Sequence, residues 1–130
     1  MNEKIMQALN EVEVFTLSHN VKIYVPSTVD VNITANKEMV NNAIKTVAKK
    51  MSQWFGGTTV YNDCTGYWVS DKQGLVAETI TIVSANCDEN ALSENIYNVI
   101  SLVKQLGCDM KQECISLEID GVLNIVTTNK

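Results

Sequence analysis

The chain has 130 residues, of which 45% are hydrophobic and 19% are charged, a composition typical of one globular domain rather than a disordered segment. Ten lysines and no arginine stand against fifteen carboxylates, and the formal net charge of −5 argues against polymeric nucleic acid as a partner, because duplex binders need a dense cationic surface. We predict a single domain over residues 1–130, with residues 1–20 as a candidate N-terminal extension.

The location of the protein is indicated by what the sequence lacks. No stretch reaches the length of a membrane span, and the first residues do not resemble a signal peptide. The four cysteines form neither a C-x-x-C pair nor a dense framework, which is typical of reduced thiols. We therefore expect a cytosolic protein with no membrane partner.

The N-terminal quarter predicts a short helix over residues 1–10 and a strand over residues 12–17. A stronger strand pattern covers residues 21–26, where apolar and polar residues alternate and the only proline closes the run. The apolar members of that pattern are Val21, Ile23 and Val25.

Two long segments have the apolar spacing of amphipathic helices. The first covers residues 36–55 and is ended by Gly56. The second covers residues 89–106, with Asp88 as its N-cap and Gly107 as the C′ residue that ends it.

Between and after these helices the pattern changes to strands. The glycines at positions 56, 57, 66 and 74 predict two or three short strands joined by tight turns. Residues 75–84 form a longer strand in which threonine and isoleucine alternate, which predicts one polar and one apolar face. The segment from Ile115 to Val126 predicts a hairpin, with Asp120-Gly121 as its two-residue turn.

These elements together predict an α+β fold. We expect a two-layer sandwich, with a mostly antiparallel sheet of five or six strands and the two long amphipathic helices on one face. The other face of the sheet is expected to be open.

The sequence offers little chemistry of its own. His19, the only histidine, is interpreted as a surface residue, since no nucleophile motif accompanies it. The carboxylate pair Asp88/Glu89 is explained by helix capping, and the pair Glu118/Asp120 by a solvated hairpin. We therefore assign no catalytic residues, no metal ligands and no cofactor.

Two aromatic residues and one lysine leave alternatives open. Tyr67 and Trp68 are adjacent on a predicted strand, so one of them should face the core and the other the outer face. Trp68 is either a core residue, which we favour, or an exposed stacking platform. Lys111 is interpreted by default as an exposed loop residue.

Several blocks of the sequence, taken together, resemble phage and plasmid proteins of the first Thoeris anti-defence family. The resemblance covers roughly residues 21–127. It rests on residues 22–32, 55–59, 66–71, 74–76, 79–83 and 112–118.

The resemblance implies a function and a site. Members of the family act as sponges: they bind a cyclic ADP-ribose-type or cyclic oligonucleotide immune signal in the host bacterial cytosol without cleaving it, and they assemble as homo-oligomers. Carried over to this sequence, Lys111 would contact a phosphate, Asn95 a sugar or base, and Trp68 or Tyr67 would supply a stacking surface. The resemblance implies no enzymatic activity. The alternative is a mobile-element protein–protein interaction module without a small-molecule ligand.

Overall fold

A computed structural model of the protein describes residues 1–29 and 33–128. Three helices and seven strands follow one another in the order α1 (Glu3–Asn10), β1 (His19–Pro26), β2 (Thr28–Val29), β3 (Ile33–Thr34), α2 (Lys37–Phe55), β4 (Thr59–Ser70), β5 (Gly74–Cys87), α3 (Glu89–Asp109), β6 (Cys114–Ile119) and β7 (Val122–Thr127).

Five strands form one antiparallel sheet in the order β4-β5-β1-β6-β7, and β2 pairs with β3 in a separate small ribbon. Strand β5 lies between β1 and β4, so the connection through α2 passes over it; the main elements thus follow a split β-α-β-β-α-β pattern with β7 added at one edge. The predicted two-layer α+β sandwich is confirmed. A third, short helix precedes it.

The core lies between one face of this sheet and the two long helices. Alternate residues of β1 are fully buried there, as their predicted alternation required. Helices α2 and α3 complete the core with the apolar stripes that their spacing predicted. The central side chains are Val21, Ile23 and Val25 from β1, Val47 and Met51 from α2, and Val99, Val103 and Leu106 from α3.

The open face of the sheet is more apolar than we predicted. Val25 is paired with Thr81 and Tyr24 with Ile82, so Thr81 shares the core face and Ile82 the open face. Thr81 is accordingly buried, at 7% exposure, and Ile80 and Ile82 lie on the side without helices. The Thr/Ile alternation is real, but pairing with β1 reverses the expected assignment of its two faces.

The hairpin of β4 and β5 is longer than predicted. Its strands span 12 and 14 residues, and β4 continues through Gly66 instead of breaking there. Gly66 stays extended because it is paired with Glu78 on the neighbouring strand. The C-terminal hairpin is confirmed: β6 and β7 are joined by Asp120 and Gly121, both with positive φ, at 52° and 79°.

Three of the predicted helix ends are confirmed. The Asn36 side chain accepts a hydrogen bond from the Met39 amide, and Asp88 accepts one from the Ala91 amide, each at 2.8 Å. Gly56 ends α2 in the left-handed conformation, at φ 94°.

The predicted end of the second long helix is wrong. Helix α3 continues through Gly107 to Asp109. The Lys111 amide donates to the Cys108 carbonyl and the Gln112 amide to the Gly107 carbonyl, which is the Schellman pattern with Lys111 at C′. Lys111 therefore adopts a positive φ of 52°, a conformation usually left to glycine.

The N-terminal segment matches the sequence only in part. The short helix is confirmed as α1, which begins at the N-cap Asn2. The strand predicted over residues 12–17 is absent from the structure, because these residues have no neighbouring strand to pair with.

Gly107 is required for close packing, which gives a first prediction. A Cβ at this position would overlap the side chain of Thr128, itself held by hydrogen bonds to the backbone carbonyls of Gln112 and Glu113. We expect Gly107→Ala to lower the free energy of unfolding by about 1–3 kcal/mol, the usual cost of overpacking, despite the better helix propensity of alanine. Urea denaturation measures this change.

The matched control is Gly57→Ala, because a Cβ on Gly57 meets no atom within 4 Å and its φ is not positive. It should change the stability by less than about 0.5 kcal/mol. Equal stability of Gly107→Ala and the parent protein would show that Thr128 moves aside at no cost.

Candidate functional site

The open face of the sheet carries a groove between the β4–β5 hairpin and the start of β6. Strand pairing places side chains from β1, β4, β5 and β6 on this face, because paired residues point the same way. The groove has a volume of about 200 Å³. Its lining includes Tyr24, Pro26, Trp68, Glu78, Ile80, Gln112, Cys114 and Ser116.

A second depression of about 800 Å³ continues from this groove toward β2 and β7. The two share Trp68, Glu78, Gln112 and Cys114, so they form one surface, which we call the open-face groove. Together they have room for a ligand of the size of a nucleoside or an amino-acid conjugate.

Glu118 organises the polar end of the open face. Lys22 Nζ lies 3.2 Å from one carboxylate oxygen, and the Tyr24 hydroxyl donates to the other at 3.0 Å. Burial, followed by this hydrogen bond, raises the pKa of Tyr24 above its ordinary value, so the phenol is neutral at physiological pH. Tyr24 is thereby held with its oxygen lone pairs free to accept a hydrogen bond.

Glu78 is the carboxylate of the groove without a cationic partner. Its contact within the described residues is the Thr28 hydroxyl, 3.4 Å away. Among the residues that the structure describes, no lysine lines either part of the groove, while the charge of Glu118 is balanced by Lys22. The open-face groove therefore favours a ligand with net positive charge.

Gln112 links the groove to the rest of the fold. Its side-chain amide donates to the carbonyl of Thr28 at 3.0 Å and to the hydroxyl of Thr28 at 3.2 Å. Its backbone is fixed by the helix-ending bond to Gly107. The Gln112 side chain thus ties β2 to the loop before β6 and fixes one wall of the groove.

The structure separates the two aromatic residues proposed from the sequence. Trp68 is 46% exposed and lines the groove on the open face, so the favoured assignment of Trp68 to the core is wrong. Its partner in the sheet is Val76, whose side chain points to the same face. Tyr67 borders the groove, but strand alternation points its ring, 67% exposed, to the opposite face.

Lys111 and Asn95 do not share a site. Lys111 is exposed and precedes Gln112 at the end of the groove. Asn95 belongs to α3, on the other side of the sheet from Trp68, where its side chain donates to the Ala91 carbonyl at 2.9 Å and accepts from Asn98. The proposed combination of Asn95 with the aromatic residues is therefore not assembled within one chain.

Tyr24, Glu78 and Gln112 were not predicted as site residues from the sequence. Glu118 was noticed, but it was explained as a solvated hairpin residue. The available signal was the alternation in β1, because burial of Val21, Ile23 and Val25 sends the intervening residues to the open face. Which residues of other strands join them depends on register, which the sequence did not supply.

His19 begins β1, at the end of the strand away from the groove, and forms an ion pair with Asp120. The His19 Nδ1 atom lies 2.6 Å from one Asp120 carboxylate oxygen, and the Asn20 amide donates to the other at 2.8 Å. The hydrogen bond to Asp120 raises the pKa of His19. The same contact, followed by the Asn20 amide, lowers the pKa of Asp120.

This pair gives a pH-dependent prediction. The raised pKa of His19 stabilises the fold below its ordinary value of 6.5, and this contribution is lost as the pH rises through the raised pKa. The lowered pKa of Asp120 contributes above 3.8 and is lost as the pH falls through the lowered pKa. His19→Gln should therefore lower the melting temperature more at about pH 5.5 than at about pH 8.5.

Thermal melts of both proteins across this pH range measure the effect. Tyr97→Ala, an exposed change on α3, serves as a control whose effect should not depend on pH. A His19→Gln difference that stays constant from about pH 5.5 to 8.5 would contradict the ion pair.

Comparison with known proteins bears mainly on the fold. No family model and no curated protein matches the chain. Among the described helices, none is long and apolar enough to cross a membrane.

Solved structures do match. A phage SAM lyase in the apo state superposes with a TM-score of 0.63 and 22% identity, covering 92% of this chain and 97% of that chain. The phage SAM lyase in complex with S-methyl-5′-thioadenosine gives 0.61 and 21%, covering 89% and 94%. The chain shares its fold with this enzyme. CutA1 from Oryza sativa matches at 0.45 and 9%, covering 86% and 82%, too weakly for any conclusion.

These matches correct the function predicted from the sequence. A non-cleaving sponge for cyclic ADP-ribose-type or cyclic oligonucleotide signals is contradicted, because two solved structures that match over nearly their full length are of a lyase. The prediction that the chain is not an enzyme is contradicted by the same finding. The resemblance to the Thoeris anti-defence family itself is not tested by these matches.

Proposed function

We propose that the chain is an enzyme that cleaves S-adenosylmethionine with release of S-methyl-5′-thioadenosine, and that the open-face groove binds the substrate. The observation that carries the proposal is an exposed aromatic ring, Trp68, beside a carboxylate, Glu78, in a groove whose described lining residues include no lysine. The fold shared with a phage SAM lyase supports the same conclusion.

The charge of the groove suits this substrate. S-adenosylmethionine carries a sulfonium, an ammonium and a carboxylate, so it is a net cation. Glu78 can accept hydrogen bonds from the ammonium or the ribose hydroxyls. Trp68 offers a face for adenine or for the sulfonium, since aromatic rings attract cations and stack on bases. Tyr24, held by Glu118, adds a fixed acceptor.

The product defines the bond that breaks. S-methyl-5′-thioadenosine keeps the methyl and the adenosyl groups of the substrate, so the bond between sulfur and the amino-acid carbon is cleaved and its electron pair returns to sulfur. The carbon that loses sulfur can bond to an oxygen of the substrate's own carboxylate, which closes a ring, or can form a double bond to its neighbouring carbon, whose proton passes to a base such as the Glu78 carboxylate. Neither route consumes water, as the name lyase requires.

The apolar walls of the groove favour this reaction. The positive charge on sulfur disappears as the bond breaks, so an environment less polar than water destabilises the sulfonium relative to the transition state. Pro26 of β1 and Ile80 of β5 are paired with each other in the sheet, and both line the groove as apolar walls. The chain's contribution is thus to orient the substrate and to exclude water.

The cavity between α2 and α3 is a poorer candidate for this substrate. It has a volume of about 440 Å³, but its lining contains no aromatic ring for the base. Its core-facing wall consists of apolar residues such as Val47, Leu102 and Leu106.

The test is direct. The purified protein is incubated with S-adenosylmethionine and the mixture is analysed for S-methyl-5′-thioadenosine by liquid chromatography. We expect Glu78→Gln to lower kcat/KM by about ten- to a hundredfold, because a charge-assisted hydrogen bond is lost. Trp68→Ala should lower it by about tenfold or more through loss of stacking.

Matched controls lie on the other layer of the fold. Glu94→Gln and Tyr97→Ala change an exposed carboxylate and an exposed aromatic on α3 and should leave kcat/KM unchanged. Absence of product above the rate of the uncatalysed reaction would refute the activity. Full activity in both Glu78→Gln and Trp68→Ala would instead refute the groove as the site.

A further inference from the structure

Strand β7 is an unprotected sheet edge. It is last in the strand order and pairs on one side only, with β6. Its sequence, VLNIVT, contains no charged residue and no proline, the usual features that prevent an edge from pairing with another chain. Three of its side chains are strongly exposed: Val122 at 63%, Leu123 at 52% and Ile125 at 66%.

The opposite edge, β4, is protected. Its pairing with β5 shifts register between Tyr61 and Cys64, which marks a bulge. Within the bulge, Asp63 adopts a positive φ of 57° and places a charge on the edge. A bulge and a charge both oppose the addition of another strand, so β7 is the edge open to pairing.

The same chain contains a strand-like segment without a partner. Residues 10–18 are all exposed, and Phe15 reaches 88%. Among the described residues, no backbone hydrogen bond involves residues 13–18 outside regular elements, and these residues belong to no helix or strand. Val12, Val14, Phe15 and Leu17 give the segment the composition of a strand.

Helix α1 shows the same lack of a partner. None of its side chains is buried, although its apolar residues gather on one face. A helix of eight residues is marginal in water without packing. The N-terminal arm, residues 1–18, therefore leaves most of its apolar surface uncovered in the single chain.

We propose that residues 12–17 of one copy of the chain add as a strand along β7 of a second copy. The two segments match in length, since β7 also has six residues. Pairing would satisfy the outer backbone groups of β7 and would cover Phe15 and Ile125 on the faces of the extended sheet.

The geometry excludes pairing of the full segment with β7 of its own chain. The segment leads into β1, and β6 lies between β1 and β7, a separation of about 10 Å. His19 and Asn20 are held at the β6–β7 turn by their contacts with Asp120. Only Ser18 would remain to cross this distance, and two backbone steps span about 7 Å.

Hydrogen exchange of the full chain tests the proposal. At about 100 µM, the amides of residues 12–17 and the outer amides of β7 should be protected, and this protection should be lost on dilution below the dissociation constant. Sedimentation velocity over the same range should show self-association. The homo-oligomer expected from the sequence stays a prediction, and this interface gives it a location.

Variants identify the two partners. Ile125→Asp places a carboxylate on β7, against an arm that carries the acidic residues Glu11 and Glu13, and it should raise the dissociation constant at least about tenfold. Val69→Asp is the matched control, because Val69 is also an exposed β-branched residue, at 77% against 66% for Ile125, and lies on the opposite edge. It should associate like the parent protein.

Proline substitutions test the arm. Adjacent residues of a strand direct their N–H groups to opposite sides, so at least one of Val14→Pro and Phe15→Pro must remove a pairing hydrogen bond. That variant should lose both protection and association while keeping the melting temperature of the core. Concentration-independent protection, no protection at about 100 µM, or loss of association in Val69→Asp alone would overturn the proposal.

Discussion

The alternation of side chains along β1 is the constraint on which the rest of the structure depends. Val21, Ile23 and Val25 are buried under the helices, so Lys22 and Tyr24 must point to the other face. A shift of one residue in register would exchange the two sets and expose the core. The same alternation therefore forms the core and places a lysine and a phenol beside Glu118.

The open face combines charged, aromatic and apolar side chains. Lys22 forms an ion pair with Glu118, while no cationic side chain among the described residues pairs with Glu78 beside Trp68. Isoleucines from β5 add apolar area that a solvated sheet face does not require. A face of this kind suits the binding of a cationic, partly aromatic molecule better than simple exposure to water.

Two further features of the chain are explained by what they contact. Gly107 lies inside α3 because the Thr128 side chain occupies the space of a Cβ, and α3 ends two residues later, at Asp109, before the left-handed turn at Lys111. That turn sets the position of Gln112, which holds one wall of the groove through Thr28. Packing at the end of a helix thus fixes the geometry of a site on the other side of the sheet.

The sequence by itself determined the elements with strong periodicity: the long helices, the β1 strand and the hairpin at Asp120-Gly121. It did so because apolar spacing and turn chemistry are local properties. Tertiary structure alone decided which face of β5 meets the helices, where α3 ends, and that Trp68 is exposed beside Glu78. These outcomes depend on the pairing of strands distant in sequence, which no local pattern records.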